Sequence, residues 1–301
     1  MRYDFVHSLA GEFSVEMLCA VLEVSRTAYY RYQRKASYQS STTKEENKKL
    51  VETIFSEHKR RYGNRRIVAE LQDQGHAIGR DQVRTLMKQS HLQAIQPKSF
   101  VPRTTDSTHG KGYWPNLLLD EPLPVAPNLV WVSDITYLPL VNGEWAYLGG
   151  WMDLFSRRMW PGRRRGWRVD ETMEDSLVLL PLQSALQWRQ PSPGLITHSD
   201  RGGQYISKDI HELIRLWHIR PSMSRADDPY DNAFAESFWS RLKAELLEGG
   251  VFLNVDDART EIFEYIETYY NRVRKHSSLG YKSPEKFEGE YYTKLASSVC
   301  R

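Results

Sequence analysis

The sequence predicts an α/β protein in which a mixed five-stranded sheet with flanking helices follows small all-α, helix-turn-helix-like modules. Three observations predict it. Apolar residues recur at helical spacing up to about residue 96. Six of the 14 prolines then fall between Gln96 and Asn128. Beyond Asn128, β-branched and aromatic runs give three strands before helix and strand alternate.

In residues 1–36, Val15, Leu18, Val21 and Leu22 share one helical face. Ser25 follows as an N-cap, because its hydroxyl can accept from an orphan backbone N–H of the next short helix. A helix, a tight turn and a second helix bearing Tyr29 and Arg31 resemble a helix-turn-helix, which makes these two residues candidate DNA contacts. A helical hairpin that only packs is the alternative. A polar stretch from Ser37 to Thr43 leads into a second helical module, residues 44–96. Its three runs carry Leu50, Ile54 and Phe55, then Ile67, Val68 and Leu71, then Val83, Leu86 and Met87. Five cations between Lys59 and Arg66 stand at the entrance to the second run. Arg61, Arg65 and Arg66 are therefore candidate phosphate contacts, with an ordinary solvated helical face as the alternative. Residues 97–126, rich in Pro, Gly, Ser and Thr, read as a linker.

Residues 127–250 form the predicted core. Strands are expected over 129–140, 146–153 and 159–164, with Asn142-Gly143 as a hairpin turn. A helix over about 170–188 follows, which Pro181 should kink or interrupt because it lacks a backbone N–H. A strand at 195–199, a helix at 207–217, a strand at 219–223 and a long helix over 232–247 complete the series. Three antiparallel strands followed by α, β, α, β, α is the order of a ribonuclease-H-like fold. Residues 251–301 read as a C-terminal helical extension of this core.

Composition narrows the function classes. Apolar residues at 40% and aromatics at 12% supply a sizeable core, which excludes wholesale disorder. No apolar run reaches the ~18 residues of a membrane span, and the N-terminus lacks a signal peptide's apolar stretch. The expectation is a protein of the cytoplasm, associated with the nucleoid and not with a membrane. Cys19 and Cys300 lie at opposite ends of the chain, so both are expected as free thiols, with no disulfide framework and no multi-cysteine zinc site. The net charge of +3 hides an asymmetry: 17 Lys/Arg face 7 Asp/Glu between Arg26 and Arg103, so the remainder is net acidic. Such a division suits an enzyme that grips phosphates in one place and holds metal in another, although a pair of solvated helical faces has the same composition.

Among 38 acids, only local setting can single out candidates. Asp134 lies inside an apolar strand on the same face as Val132 and Thr136, where an unpaired carboxylate costs several kcal/mol and calls for a cation or a proton. Asp200 ends a strand before a Gly-Gly turn, the position at which open α/β sheets present ligands. Glu236 stands near the start of the long helix and forms a stripe with Ser240 and Lys243 at i, i+4 and i+7. Lys243 is thereby placed for a DNA phosphate. Each has a plainer alternative: a strand Asp paired to an Arg, a turn-forming Asp, a solvated helical Glu. Arg157, Arg158, Arg163, Arg164, Arg165 and Arg168, interleaved with Trp160 and Trp167, read either as a phosphate track or as charged edge protection.

Six blocks in order carry a resemblance: RYGNRRI at 61–67, WVSDITY at 131–137, HSDRGGQY at 198–205, SMSR at 222–225, YDNAFAESF at 230–238 and YNRVRKHSSLGY at 270–281. With 35 residues between Asp200 and Glu236, the chain resembles the B-frame DDE transposases of the insertion-sequence-three family, which have a retroviral-integrase-like core. The resemblance implies that Asp134, Asp200 and Glu236 hold two Mg²⁺ ions, with Mn²⁺ able to substitute. It further implies that the enzyme cleaves element ends and transfers the 3′-hydroxyl to another strand of double-stranded DNA. Arg225 joins the DNA-contact candidates through the fourth block. A homo-oligomer on DNA is expected, because two ends must meet. The loop 225–229 departs from the family in carrying Asp227 and Asp228. The resemblance also implies an upstream-frame helix-turn-helix and leucine-zipper segment as partner or fusion, and no sustained heptad pattern is present in this chain. A non-catalytic DNA-binding regulator derived from a transposase, or a ribonuclease H-type nuclease, is the alternative function.

Overall fold

The computed structural model describes residues 2–34, 42–97, 112–119, 122–160, 166–225 and 232–299. The chain divides into two units, residues 1–60 with 70–93 and residues 61–69 with 94–301.

In the first unit, α1 (Arg2–Leu9), α2 (Val15–Val21) and α3 (Arg26–Gln33) close on a small core of Val6, Leu18, Cys19 and Tyr29. Ser25 caps α3 as expected, its hydroxyl accepting from the Ala28 amide at 3.4 Å. Ser14 does the same for α2. In the second helical module, α4 (Thr42–Glu57) buries Val51, Ile54 and Phe55, α5 (Asn64–Asp73) buries Ile67 and Leu71, and α6 (Arg80–Gln89) buries Val83, Leu86 and Met87. Helical periodicity singles out these residues except at two positions: Val51 is buried where Leu50 is expected, and Val68 is only half-buried.

The second unit is built on five strands: β1 (Val130–Pro139), β2 (Trp145–Asp153), β3 (Trp167–Asp170), β4 (Ile196–Ser199) and β5 (Arg220–Met223). Their order is β3-β2-β1-β4-β5. β1, β2 and β3 pair antiparallel, while β4 and β5 extend the sheet parallel to β1. Helices cover both faces. Trp131 and Trp151 pack with residues of α7 (Ser176–Arg189) and α8 (Lys208–Leu216). Val130, Val132 and Leu138 pack with α9 (Ala233–Leu247) and α10 (Val255–Phe263). A π-helical turn, Glu264–Tyr270, and α11 (Pro284–Val299) follow. This is the mixed, helix-flanked sheet of the ribonuclease-H-like class. Among the described residues no helix is long and apolar enough to cross a membrane.

Two expectations need correction. The strand that pairs with β2 is Trp167–Asp170, whereas residues 161–164 of the expected 159–164 lie outside the described residues. Met159 makes only an isolated bridge to Met152, whereas buried Trp167 and Val169 alternate with half-buried Arg168 and Asp170 and pair with β2. Nor does Pro181 interrupt its helix, for α7 runs through it. The N–H that Pro181 lacks belongs to the carbonyl of Leu177, and that carbonyl lies against β2 where a Cβ on Gly149 would come within 2.9 Å of it. The indole of Trp151 also donates to the Val178 carbonyl at 3.0 Å, so the first turn of α7 is docked on the sheet by polar as well as apolar contacts.

Candidate active site

β1 and β4 are parallel neighbours in register at Val132 and His198. Asp134 and Asp200 each follow two residues later, so the two acids emerge at the same level of adjacent strands, on the carboxyl side of β4. Alternation along β1 puts Asp134 on the face of Val130 and Val132, the face covered by α9. One oxygen of Asp134 accepts from the Ile135 amide at 2.9 Å. Asp200 accepts from the Gly202 amide at 3.0 Å. A Cβ on Gly202 would fall 3.1 Å from that same carboxylate and 2.8 Å from the Gln204 amide oxygen, so a side chain there would press on the groups around Asp200.

The third acid arrives on α9. Asn232 leads into the helix, and its side-chain amide donates to the Ser133 carbonyl at 3.1 Å, which ties the start of α9 to β1 one residue before Asp134. Ala235, Phe238, Trp239 and Leu242 bury the helix against the sheet, while Glu236 lies on its exposed side. Burial of the carboxyl, then the charge of Asp200, pushes the Glu236 pKa upward. Asp134 is raised well above the ordinary 3.8 by desolvation first, then by Asp200 and Glu236, against the opposing pull of the Ile135 amide and Lys243. The three carboxyl groups thus share one electrostatic site. Lys243 feels the same site: burial lowers its pKa and Asp134 raises it.

Sequence reasoning left Tyr205 and Asn232 without roles. The Tyr205 hydroxyl lies 3.0 Å from the Ser133 hydroxyl. Burial, Asp200 and Asp134 all drive its pKa up, so the phenol stays protonated. His198 is fully buried, its ring nitrogens 2.8 Å from Ser222 Oγ and 3.2 Å from Ser224 Oγ, so it ties β4 to β5 and to the residue that follows β5.

Hard oxygen donors with surplus negative charge suit Mg²⁺. Asp200 and Glu236 raise the Asp134 pKa, Asp200 raises that of Glu236, and Lys243 opposes the shift at Asp134. Among the described residues no three His, Cys, Asp or Glu side chains are drawn together at ligand distance.

The DNA-contact candidates separate by environment. Arg31, Arg65 and Arg225 are exposed. Tyr29 is only 1% exposed, in the core of α1, α2 and α3, so its candidacy is corrected: it packs, with its hydroxyl 3.4 Å from His7. Arg61 and Arg66 hydrogen-bond to backbone carbonyls of the second unit. Arg158 pairs with Glu285 and Arg168 with Asp170, while Trp160 and Trp167 are buried. Arg163, Arg164, Arg165, Asp227 and Asp228 lie outside the described residues. An unnoticed candidate is the outer face of α6, where Arg84, Thr85, Lys88 and Gln89 are all exposed. The helical spacing of Val83, Leu86 and Met87 already implied that stripe.

On this ribonuclease-H-like sheet Asp134 lies within β1, Asp200 follows β4 and Glu236 lies on α9 within their electrostatic reach, an arrangement of the polynucleotidyl transferase class. An integrase core domain model matches residues 124–229, a second integrase core domain model matches 218–284, and an HTH-like domain model matches 42–100. The chain is 36% identical over 293 residues to the InsF transposase of insertion sequence IS3A from Escherichia coli (strain K12), covering 96% of this chain and 99% of that protein. It is 38% identical over 282 residues to the uncharacterized 31 kDa protein of insertion element IS600 from Shigella sonnei, covering 93% and 100%. Among solved structures, the HTLV-2 integrase catalytic core domain in complex with magnesium matches with a TM-score of 0.41 at 16% identity, over 55% of this chain and 98% of that one. A simian T-cell lymphotropic virus intasome matches with a TM-score of 0.44 at 16% identity, over 78% and 73%. The chain belongs to the IS3 family of insertion-sequence transposases, enzymes of DNA transposition.

Proposed function

We propose that Asp134, Asp200 and Glu236 hold two Mg²⁺ ions, for which Mn²⁺ substitutes, and that this site cuts the element end and joins the freed 3′-hydroxyl to another strand. The observation that carries this reading is the level placement of Asp134 and Asp200 on neighbouring parallel strands, within electrostatic reach of Glu236. Divalent cations there supply activation of the attacking water or hydroxyl and neutralisation of the leaving oxygen. The protein's own part is positioning. β1 and the Ile135 amide hold Asp134, the glycine turn holds Asp200, and the Asn232 bond to β1 sets the start of the helix that carries Glu236. Lys243, two turns beyond Glu236 on the same side of α9, meets a phosphate of the DNA bound over the acids. The exposed face of α6 and Arg31 in the first unit, and separately Arg65 and Arg225 in the second, contact the backbone of duplex element ends or target. Two copies of the chain pair those ends on nucleoid DNA in the cytoplasm, with an upstream-frame segment as partner or fusion.

The test is cleavage and joining of labelled element-end DNA with Mg²⁺ or Mn²⁺, by wild type and Glu236→Gln, with the upstream segment supplied. The expected result is loss of joining by about 10³-fold or more in the variant with DNA binding retained, since charge stabilisation dominates such chemistry. Equal rates would remove Glu236 from the mechanism. Tight binding with no reaction in either protein would make the chain a DNA-binding regulator.

A further inference from the structure

We infer that Arg61, Tyr62 and Arg66, with Glu245 and Arg274, form a clamp that positions the catalytic helix α9 and do not form a phosphate-binding patch; this rests on the assignment of Glu236 to catalysis. Residues 61–69 belong to the same unit as the sheet and α9. Glu245 lies nine residues after Glu236 on α9, which is a rise of about 13.5 Å and half a turn around the axis. It is 4% exposed, and its partner Arg274 is 1% exposed. Arg274 spans both carboxylate oxygens, with Nε 2.9 Å from Oε2 and Nη2 2.6 Å from Oε1, and the Tyr265 hydroxyl donates to Oε2 at 2.8 Å. A bidentate pair of this kind fixes orientation as well as distance.

The basic block closes over this pair. Arg61 Nε donates to the backbone carbonyl of Glu245 at 3.3 Å. That carbonyl sits in the last turn of α9, whose oxygens have no acceptor role inside the helix, so Arg61 acts as a cationic C-terminal cap. Its guanidinium lies 5.2 Å from the ring centre of Tyr265 and 4.7 Å from that of Tyr269, both presented by the π-helical turn. Arg66 Nε donates to the Lys275 carbonyl at 2.9 Å, and its Nη1 donates to the Arg61 carbonyl at 3.3 Å. The buried Tyr62 hydroxyl accepts from the Lys275 amide at 2.8 Å and donates to the Val273 carbonyl at 3.3 Å. Tyr62 and Arg66 therefore hold the backbone on both sides of Arg274, Arg274 holds α9 through Glu245, and Arg61 holds the end of α9 directly. Asn232 anchors one end of the helix and the clamp anchors the other, on the side away from Glu236, so the pair determines rotation of α9 about its axis.

The clamp is tested in the full chain with Arg61→Gln, Arg66→Gln and the charge-preserving Arg66→Lys, with Glu236→Gln as control. DNA affinity, its salt dependence, the joining rate at saturating DNA and the Mg²⁺ concentration for half activity are measured. The expected result is a saturated rate lowered about 10- to 100-fold, as a shift of around 1 Å in a catalytic group produces. The half-activating Mg²⁺ concentration rises, DNA affinity and salt slope are unchanged, and Arg66→Lys is as slow as Arg66→Gln. Hydrogen exchange along residues 233–247 accelerates in the same variants. A weakened affinity with a salt slope smaller by about 0.9, an unchanged saturated rate and recovery by lysine would overturn the clamp and make these arginines phosphate ligands. If Glu236→Gln is as fast as wild type, the catalytic reading fails separately, and unchanged exchange in α9 then overturns the clamp by itself.

Discussion

Two glutamates on α9 meet opposite surroundings. Glu245 is buried, yet the hydrogen bonds and charge of Arg274 and the Tyr265 hydroxyl outweigh desolvation and hold its pKa below the ordinary value. Glu236 is exposed on the other side of the helix, yet desolvation of its carboxyl and the charge of Asp200 push its pKa up. One carboxylate has its countercharge inside the protein. The other shares a site with Asp134 and Asp200, where negative charge exceeds what Lys243 offsets. The difference separates structure from chemistry: a balanced buried charge holds parts together, and an unbalanced cluster is prepared for something that arrives from solution.

The strongest way to break this contrast is Arg274→Ala, which strands Glu245 in the core. We expect a loss of about 3–5 kcal/mol in unfolding free energy by urea titration, the cost of an uncompensated buried charge. A loss below about 1 kcal/mol would show that the pair is not the centre of the clamp.

The second test uses opposite pH dependences. Asp134 and Glu236 have folded-state pKa values raised above 3.8 and 4.5, so their contribution to stability is complete below those values and is lost as pH rises through the raised ones. Glu245 has the reverse sign: its contribution is present above 4.5 and is lost as pH falls through its lowered pKa. Thermal melts in chelator should therefore show Asp134→Asn flattening the decline on the high-pH side and Glu245→Gln flattening the acid side. Mg²⁺ at pH 7 should raise the melting temperature of wild type and not of Asp134→Asn, because a ligand stabilises only the state that binds it. Equal Mg²⁺ stabilisation of both proteins would place the ion elsewhere.

The smallest expected effect is Lys88→Gln on the outer face of α6. It should reduce the slope of log affinity against log salt by about 0.9 without changing the saturated joining rate. An unchanged slope would remove Lys88 from the phosphate contacts.

Much of this was legible before any coordinates. Helical spacing found the buried faces of α4, α5 and α6, because a 3.6-residue period is a local property. Local setting made Asp134, Asp200 and Glu236 candidates beside plainer alternatives, and the six ordered blocks of the family resemblance selected them together. The position of β3 was missed because Met159-Trp160 looked as strand-like as Trp167-Arg168-Val169, and only pairing with β2 chooses between them. The course of α7 was missed for a related reason. The carbonyl freed by Pro181 lies where Gly149 leaves space on a distant strand.

The sequence by itself determined the class of fold and the basic character of the helical region, and it nominated the three acids, because periodicity and motif are written along the chain. Only the tertiary structure decided what each charge is for. Tyr29 looked like a surface residue and is core, Arg61 and Arg66 looked like phosphate ligands and clasp α9, and Glu245 drew no notice until Arg274, 29 residues away, was found against it. A charge acquires its role from the counterions and solvent around it, and those neighbours are assembled by folding across distances that no local pattern encodes.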